Sequence, residues 1–252
     1  MRLEGKRALV TGGAGGIGMA CARMLAERDA TVVIADRTGE ALEAARAALP
    51  DGVETVLLDV RDRAAQEAVF AAEAGKGGVD ILVTTAAIAR PAPILDFAPE
   101  TWREVLEINL DGVFHSCQLA ARQMVKKGWG RIVTLSSVNG QVANPGRGAY
   151  SCSKSAGDML TKLLAAELGD RGVTANAVAP SPVGTTMVLQ MQGQKDRAAW
   201  HAATPVPRIA EPEEVAAAVC FLASEEAAYI NGHILNVDGG FMATGILPGR
   251  KA

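Results

Sequence analysis

The stretch Arg7–Gly18, RALVTGGAGGIG, runs from an aliphatic strand pattern straight into a glycine cluster, and helical periodicity follows through Arg28. Strand, glycine turn and helix in that order form the context in which such a cluster cradles a dinucleotide. Gly12 suits the tight turn, Gly16 the close approach of a pyrophosphate, and Gly18 the packing of the helix on the strand. The helix start adds free N–H groups and the positive end of the helix dipole. No GK[ST] ending follows, which disfavours a nucleoside triphosphate. Asp36 lies eighteen positions beyond Gly18, after TVVIA, near the offset at which a carboxylate accepts from the adenosine ribose hydroxyls. A ribose phosphate would meet that negative charge, so NAD is expected in preference to NADP. Arg37 argues the other way, because a guanidinium partners phosphate well. Asp59, after the third strand, has two readings: a cap for adenine or a plain strand-end turn residue.

Outward from this stretch, short aliphatic runs alternate with Ala-rich helical patterns. TVVIA precedes Gly39–Ala48, ETVLL precedes Arg63–Ala74, and DILVT at Asp80–Thr84 precedes a helix expected from Pro99 to Lys127. RIVTL at Arg131–Leu135 leads to a helix containing Tyr150. TANAVA at Thr174–Ala179, a helix over Glu211–Leu222 and HILNV at His233–Val237 complete the series. Seven near-continuously apolar strands with intervening helices predict a doubly wound α/β fold on a seven-stranded parallel sheet, covered on both faces. No linker divides the chain, and residues 1–252 are expected to form one domain. Residues 181–208 lack a clear period and are expected to act as a substrate lid.

Composition narrows the function classes. Of 252 residues 49% are hydrophobic and 21% charged, ordinary globular values, and a net charge of -3 without a basic stripe argues against a nucleic-acid partner. The longest apolar runs fall short of the roughly 20 residues of a membrane helix, and Met1–Lys6 has no secretory character. The cytoplasm is the expected compartment. Cys21, Cys117, Cys152 and Cys220 show neither CxxC spacing nor neighbouring histidines, so no disulfide or metal role is assigned. His115, His201 and His233 are far apart in sequence and none is given a catalytic role, and His115, on an expected interface helix, reads as structural.

Tyr150 and Lys154 stand four apart in AYSCSKSAGDMLTKLLAAEL, which has helical period. That spacing puts phenol and amine on one face. An ammonium beside the ring favours the phenolate and brings a tyrosine that titrates near pH ~10 toward the range of a general acid/base. The alternative is an exposed pair that merely supports the helix.

With this pair and the glycine loop on one chain, the sequence resembles the short-chain dehydrogenase/reductase family over almost its whole length. TGGAGGIG at Thr11–Gly18 fits the family's TGxxxGxG pattern, INLDG at Ile108–Gly112 its asparagine segment, and LSSVNG at Leu135–Gly140 its serine segment. PRIAEPEEVA at Pro207–Ala216 and LNVDGGF at Leu235–Phe241 are similar to its closing motifs. The resemblance implies a catalytic tetrad of Asn109, Ser137, Tyr150 and Lys154, acting on a secondary alcohol or ketone. It also implies cofactor contacts from Ile17, Val60, Ala86, Pro180, Val183 and Thr185, with Tyr150 and Lys154 at the nicotinamide end, and a homotetramer built on the long helices.

Two segments depart from the family pattern. Thr84-Thr85-Ala86-Ala87 replaces the usual NNAG, which weakens an expected buttress of the central sheet, and Ser181 replaces a glycine near the nicotinamide, which removes backbone freedom. Expected pocket positions are Ala89 to Ala92, Asn139, Gln141, Asn144, Ser181 and an apolar lid of Met187, Leu189, Met191 and Trp200. Arg90 and Arg147 are read either as anion contacts or as solvated charges. An NADP-dependent 3-oxoacyl-carrier-protein reductase and a non-catalytic dinucleotide-binding scaffold are the alternatives to an NAD-dependent alcohol dehydrogenase.

Overall fold

Seven parallel strands form a single sheet in the order β3-β2-β1-β4-β5-β6-β7 in the computed structural model, which describes residues 1–191 and 193–244. The strands are β1 (Arg7–Thr11), β2 (Thr31–Asp36), β3 (Glu54–Leu57), β4 (Ile81–Thr84), β5 (Gly130–Leu135), β6 (Val173–Pro180) and β7 (Ile234–Val237). The helices between them are α1 (Gly16–Ala26), α2 (Gly39–Ala48), α3 (Arg63–Ala74), α4 (Pro99–Leu106), α5 (Gly112–Lys127), α6 (Gly148–Leu168), α7 (Thr186–Met191), α8 (Gln194–Ala203) and α9 (Pro212–Leu222).

The alternation of side chains along each strand divides the apolar residues between two cores. Ala8, Val10, Val32, Ile34, Ile81 and Val83 face one way, against α1, α2 and α9. Leu9, Val33, Ala35 and Leu82 face the other, against α3, α5 and α6. This two-sided burial is why the strands read as unbroken apolar runs. The chain steps from β1 to β2 and β3 on one side, then returns to place β4 on the other side of β1. A crevice therefore opens beyond the carboxyl ends of β1 and β4, where Thr11 is in register with Thr84, and open α/β sheets bind ligands at such switch points.

Two expectations need correction. The helix expected from Pro99 to Lys127 is interrupted by a π turn over Glu107–Asp111, between α4 and α5. Its partner is distant in sequence: Asn109 turns inward there, and its amide bonds the backbone of Ile88 in both directions, at 2.9 Å each. The segment expected to lack period holds two short helices, α7 and α8. No helix among the described residues is long and apolar enough to cross a membrane.

Candidate active site

The glycine loop is shaped by contacts that leave no room for side chains. Gly12 has a φ of +69°, and a Cβ there would lie 2.4 Å from the Ala86 nitrogen. A Cβ on Gly18 would lie 2.4 Å from the Gly12 oxygen. Gly15 caps α1 with no side-chain hydrogen bond, so the first-turn N–H groups face the crevice unspent. This cradle fits a pyrophosphate.

Asp36 extends the cradle at the end of β2. One carboxylate oxygen accepts from the Ala14 N–H at 3.1 Å and the other from the Arg37 N–H at 2.8 Å, which fixes the acid at the edge of a 510 Å³ cavity. Gly12, Arg37, Asp59, Val60 and Ala86 line the same cavity. Asp59 is engaged by its own loop: Arg61 donates to it from backbone and side chain, and this holds the carboxyl below its usual range. Arg37 is exposed.

The NNAG substitution resolves into two roles. Thr85, not Thr84, replaces the buttress: its hydroxyl donates to the Thr11 carbonyl at 2.7 Å and lies 3.0 Å from the Gly12 carbonyl. The Thr84 hydroxyl is buried and unpartnered. Ser181 lies outside the left-handed region, so a serine meets no backbone strain there.

A second cavity, of 340 Å³, joins the cradle to the tyrosine. Gly12, Gly16, Ile17 and Gly18 line one end, and Ser137, Tyr150, Lys154, Pro180, Val183 and Thr185 the other. Ser137, two residues past β5, is extended and its hydroxyl accepts from the Asn139 N–H, so it does cap a turn as well as facing the phenol. Lys154 is 5% exposed, donates to the Leu135 carbonyl at 2.6 Å, and places Nζ 5.7 Å from the Tyr150 ring centroid.

Electrostatics correct the expectation that Lys154 lowers the phenol pKa. Tyr150 retains partial exposure through the cavity, yet its surroundings desolvate the phenol and push its pKa up. Opposing that rise are the Ser137 hydrogen bond and the charge of Arg147. Burial also pulls the Lys154 ammonium down to about 8, and Asp158, one helical turn on, acts in the opposite direction. Asp158 is itself buried, pushed up by desolvation, with Oδ1 unpartnered. The sequence signal for this acid is plain in hindsight: it shares the helix face of Lys154.

Asn109 lies outside both cavity walls. Beyond its clamp on Ile88, its amide donates to Ser153 Oγ at 3.2 Å, and Ser153 donates to the Tyr150 carbonyl at 2.7 Å. It therefore ties the loop after β4 to the first turn of α6. Among the expected pocket positions, Ala89, Asn139, Asn144, Ser181, Met187, Met191 and Trp200 line the second cavity. Leu189 does not and is 49% exposed, and Gln141 is drawn away to Asn236 at 2.6 Å. Arg90 pairs with Glu104 at 3.2 Å and does not line this cavity. All four cysteines are free, and no cluster among the described residues could hold a metal ion.

A dinucleotide cradle continuous with a Tyr-Ser-Lys cluster defines a nicotinamide-dependent oxidoreductase on a doubly wound sheet. Comparison with known proteins agrees: a family model described as enoyl-(acyl carrier protein) reductase matches residues 12–242. The chain is 41% identical to galactitol 2-dehydrogenase (L-tagatose-forming) of Cereibacter sphaeroides, across 95% of this chain and 96% of that protein. It is also 41% identical to the 3-oxoacyl-[acyl-carrier-protein] reductase FabG of Vibrio cholerae, across 95% and 98%. The solved structure of a gluconate 5-dehydrogenase from Burkholderia cenocepacia, in complex with NADP and tartrate, superposes with a TM-score of 0.91 at 35% identity, covering 97% and 98% of the two chains. The chain belongs to the short-chain dehydrogenase/reductase family. It is an oxidoreductase that transfers hydride between a nicotinamide cofactor and a CH–OH donor or its ketone.

Proposed function

We propose that the protein is an NAD-dependent dehydrogenase/reductase of a secondary alcohol in a polyhydroxylated substrate, with Tyr150 as general acid/base. The observation that carries this reading is the single cavity shared by the glycine cradle, Ser137, Tyr150 and Lys154. The substrate class is supported by relatives named for galactitol and gluconate. Gly12–Gly18 and Asp36 would hold a nicotinamide dinucleotide, which would supply the hydride acceptor or donor. Tyr150 takes the hydroxyl proton as the alcohol is oxidised and gives it back in reduction. Ser137 donates to the substrate oxygen where negative charge develops. Lys154 would hold positive charge beside the phenolate and would hold the cofactor ribose. Asn109 fixes the loop that faces α6 and, through Ser153, the first turn of that helix.

Burial raises the phenol pKa and so opposes formation of the phenolate, and the oxidation rate is expected to rise with pH. Asp36 supports NAD, since a ribose phosphate would sit against a carboxylate already fixed by two backbone N–H groups. The carrier-protein reductase alternative needs NADP and depends on Arg37 overriding that acid. Replacement of Asp36 by Ser tests the choice: the ratio of kcat/KM for NADP over NAD is expected to rise by about a hundredfold, the scale of removing one close repulsive charge. An unchanged ratio would remove Asp36 as the determinant.

Assembly as a homotetramer is supported by apolar surface on the two long helices: Phe114 on α5, and Met159 and Leu163 one turn apart on α6, are all more than 40% exposed. A second copy of the chain would cover them.

A further inference from the structure

The cavity around Tyr150 is electrostatically one-sided. Its lining includes two cations, Arg147 and Lys154, and no carboxylate. Lys154 is provided for, by the Leu135 carbonyl and by Asp158. Arg147 is not. Its guanidinium makes no ion pair or side-chain hydrogen bond among the described residues, although the residue is half-buried. The other arginine read from sequence as a possible anion contact, Arg90, is neutralised by Glu104.

Arg147 is also held in place. Its N–H donates to the Asn144 carbonyl at 3.2 Å, its carbonyl accepts from Ser151 at 2.7 Å, and it bridges to Ala92. The cation consequently stands on fixed backbone at the cavity wall, close enough to act on the Tyr150 phenol. Asp196 of α8 lines the outer part of the same opening, but its carboxylate caps α8 by accepting from the Gly193 N–H at 3.1 Å. The cofactor does not need Arg147 either, since the residue is absent from the wall of the adenosine-side cavity and the phosphate cradle is made of backbone. A guanidinium at the cavity wall with no anionic partner is available to an incoming anion, and its planar fork matches a carboxylate.

We infer that Arg147 is the anion-recognition residue of the substrate pocket and that the substrate is a polyhydroxy acid, or the corresponding keto acid, whose carboxylate seats on this guanidinium. The inference rests on the hydride-transfer reading above. A secondary hydroxyl of the acid gives its proton to the Tyr150 phenolate, and the C–H bond on the same carbon gives hydride to the oxidised nicotinamide. The products are a keto acid, the reduced cofactor and one proton. The amides of Asn139 and Asn144, which line the same wall, are placed to bond intervening hydroxyls.

Three probes with related carbon skeletons separate the alternatives: gluconate, neutral glucitol, and the monophosphate of glucitol. Initial rates are measured with oxidised cofactor for the wild type, Arg147→Gln and Arg147→Lys. Wild type is expected to prefer gluconate. In Arg147→Gln the gluconate-to-glucitol ratio of kcat/KM falls by roughly tenfold to a hundredfold, chiefly through KM, and Arg147→Lys restores part of it. The ratio is the readout because any effect of Arg147 on the Tyr150 phenol is common to both substrates. A ratio unchanged by the substitution overturns the inference, and wild-type preference for the phosphate ester overturns the carboxylate assignment. Calorimetric titration of gluconate into the enzyme with bound cofactor needs no turnover. Binding lost in Arg147→Gln supports the inference and equal binding overturns it, whereas absence of nicotinamide reduction with every alcohol tells against the hydride-transfer reading instead.

Discussion

Lys154 is costly to bury, and the cost has a defined pH dependence. Its folded-state pKa of about 8 lies below the unfolded value near 10.4, so between those values the unfolded chain holds a proton that the folded one lacks. Stability attributable to this group therefore rises with pH across that window, and below it the full penalty of a buried ammonium is present. Lys154→Met is expected to melt higher than wild type at neutral pH, by on the order of a few degrees, with the gap closing toward pH ~10. Thermal melts of both proteins at several pH values check this; a Met variant that melts lower throughout would contradict it. Asp158 has the opposite shift: its pKa is raised, so stability attributable to it falls as pH rises from the unfolded value through the folded one. Arg147 lowers the phenol pKa from the rim, so the acidic limb of the oxidation profile is expected at higher pH in Arg147→Gln. These couplings were only half legible in the sequence. The Tyr150-Lys154 pair showed itself by helical spacing, but the cation that acts on the phenol in this structure is Arg147, and its position depends on how the loop before α6 closes.

At the scale of elements, the glycine turn and the π turn do the positioning. Gly12→Ala would place a methyl group within 2.4 Å of the Ala86 backbone at a positive φ, so the loop after β1 must move. The expected result is a loss of dinucleotide affinity of tenfold or more, roughly, read by fluorescence titration, with secondary structure retained in circular dichroism. Asn109→Ala strips partners from both the N–H and the carbonyl of Ile88 and is expected to cost about 2–4 kcal/mol in denaturant unfolding; a loss below ~1 kcal/mol would mean water replaces the amide without penalty. The sheet, α1, α2 and α3 were legible because period and turn residues agreed. The π turn was not, because α4 and α5 share one apolar face and the reason for the break is a loop distant in sequence. Helices α7 and α8 escaped notice for a related reason: they are short, carry no buried residue, and so leave no apolar stripe to read.

At the scale of the molecule, the reversal of strand order at β1 and β4 brings together residues from Gly12 to Thr185 at one edge of the sheet. Sequence order alone foretold that edge, since parallel strands with right-handed crossovers leave few arrangements. What it left open was which polar side chains would point into the cavity and which would be spent elsewhere, as Gln141 and Arg90 are. Exposed Phe114, Met159 and Leu163 lead to an assembly prediction: Leu163→Glu is expected to reduce the mass seen by light scattering, and an unaltered mass would exclude α6 from the interface. The central claim is that one cavity holds both the cofactor cradle and a tyrosine that moves the alcohol proton. Initial rates of nicotinamide reduction with a panel of polyhydroxylated alcohols, with NAD and NADP in parallel for wild type and Tyr150→Phe, test it most directly. The predicted result is turnover mainly with NAD and a loss of at least about a hundredfold in Tyr150→Phe while cofactor binding persists. A Phe variant that turns over at the wild-type rate would contradict the account.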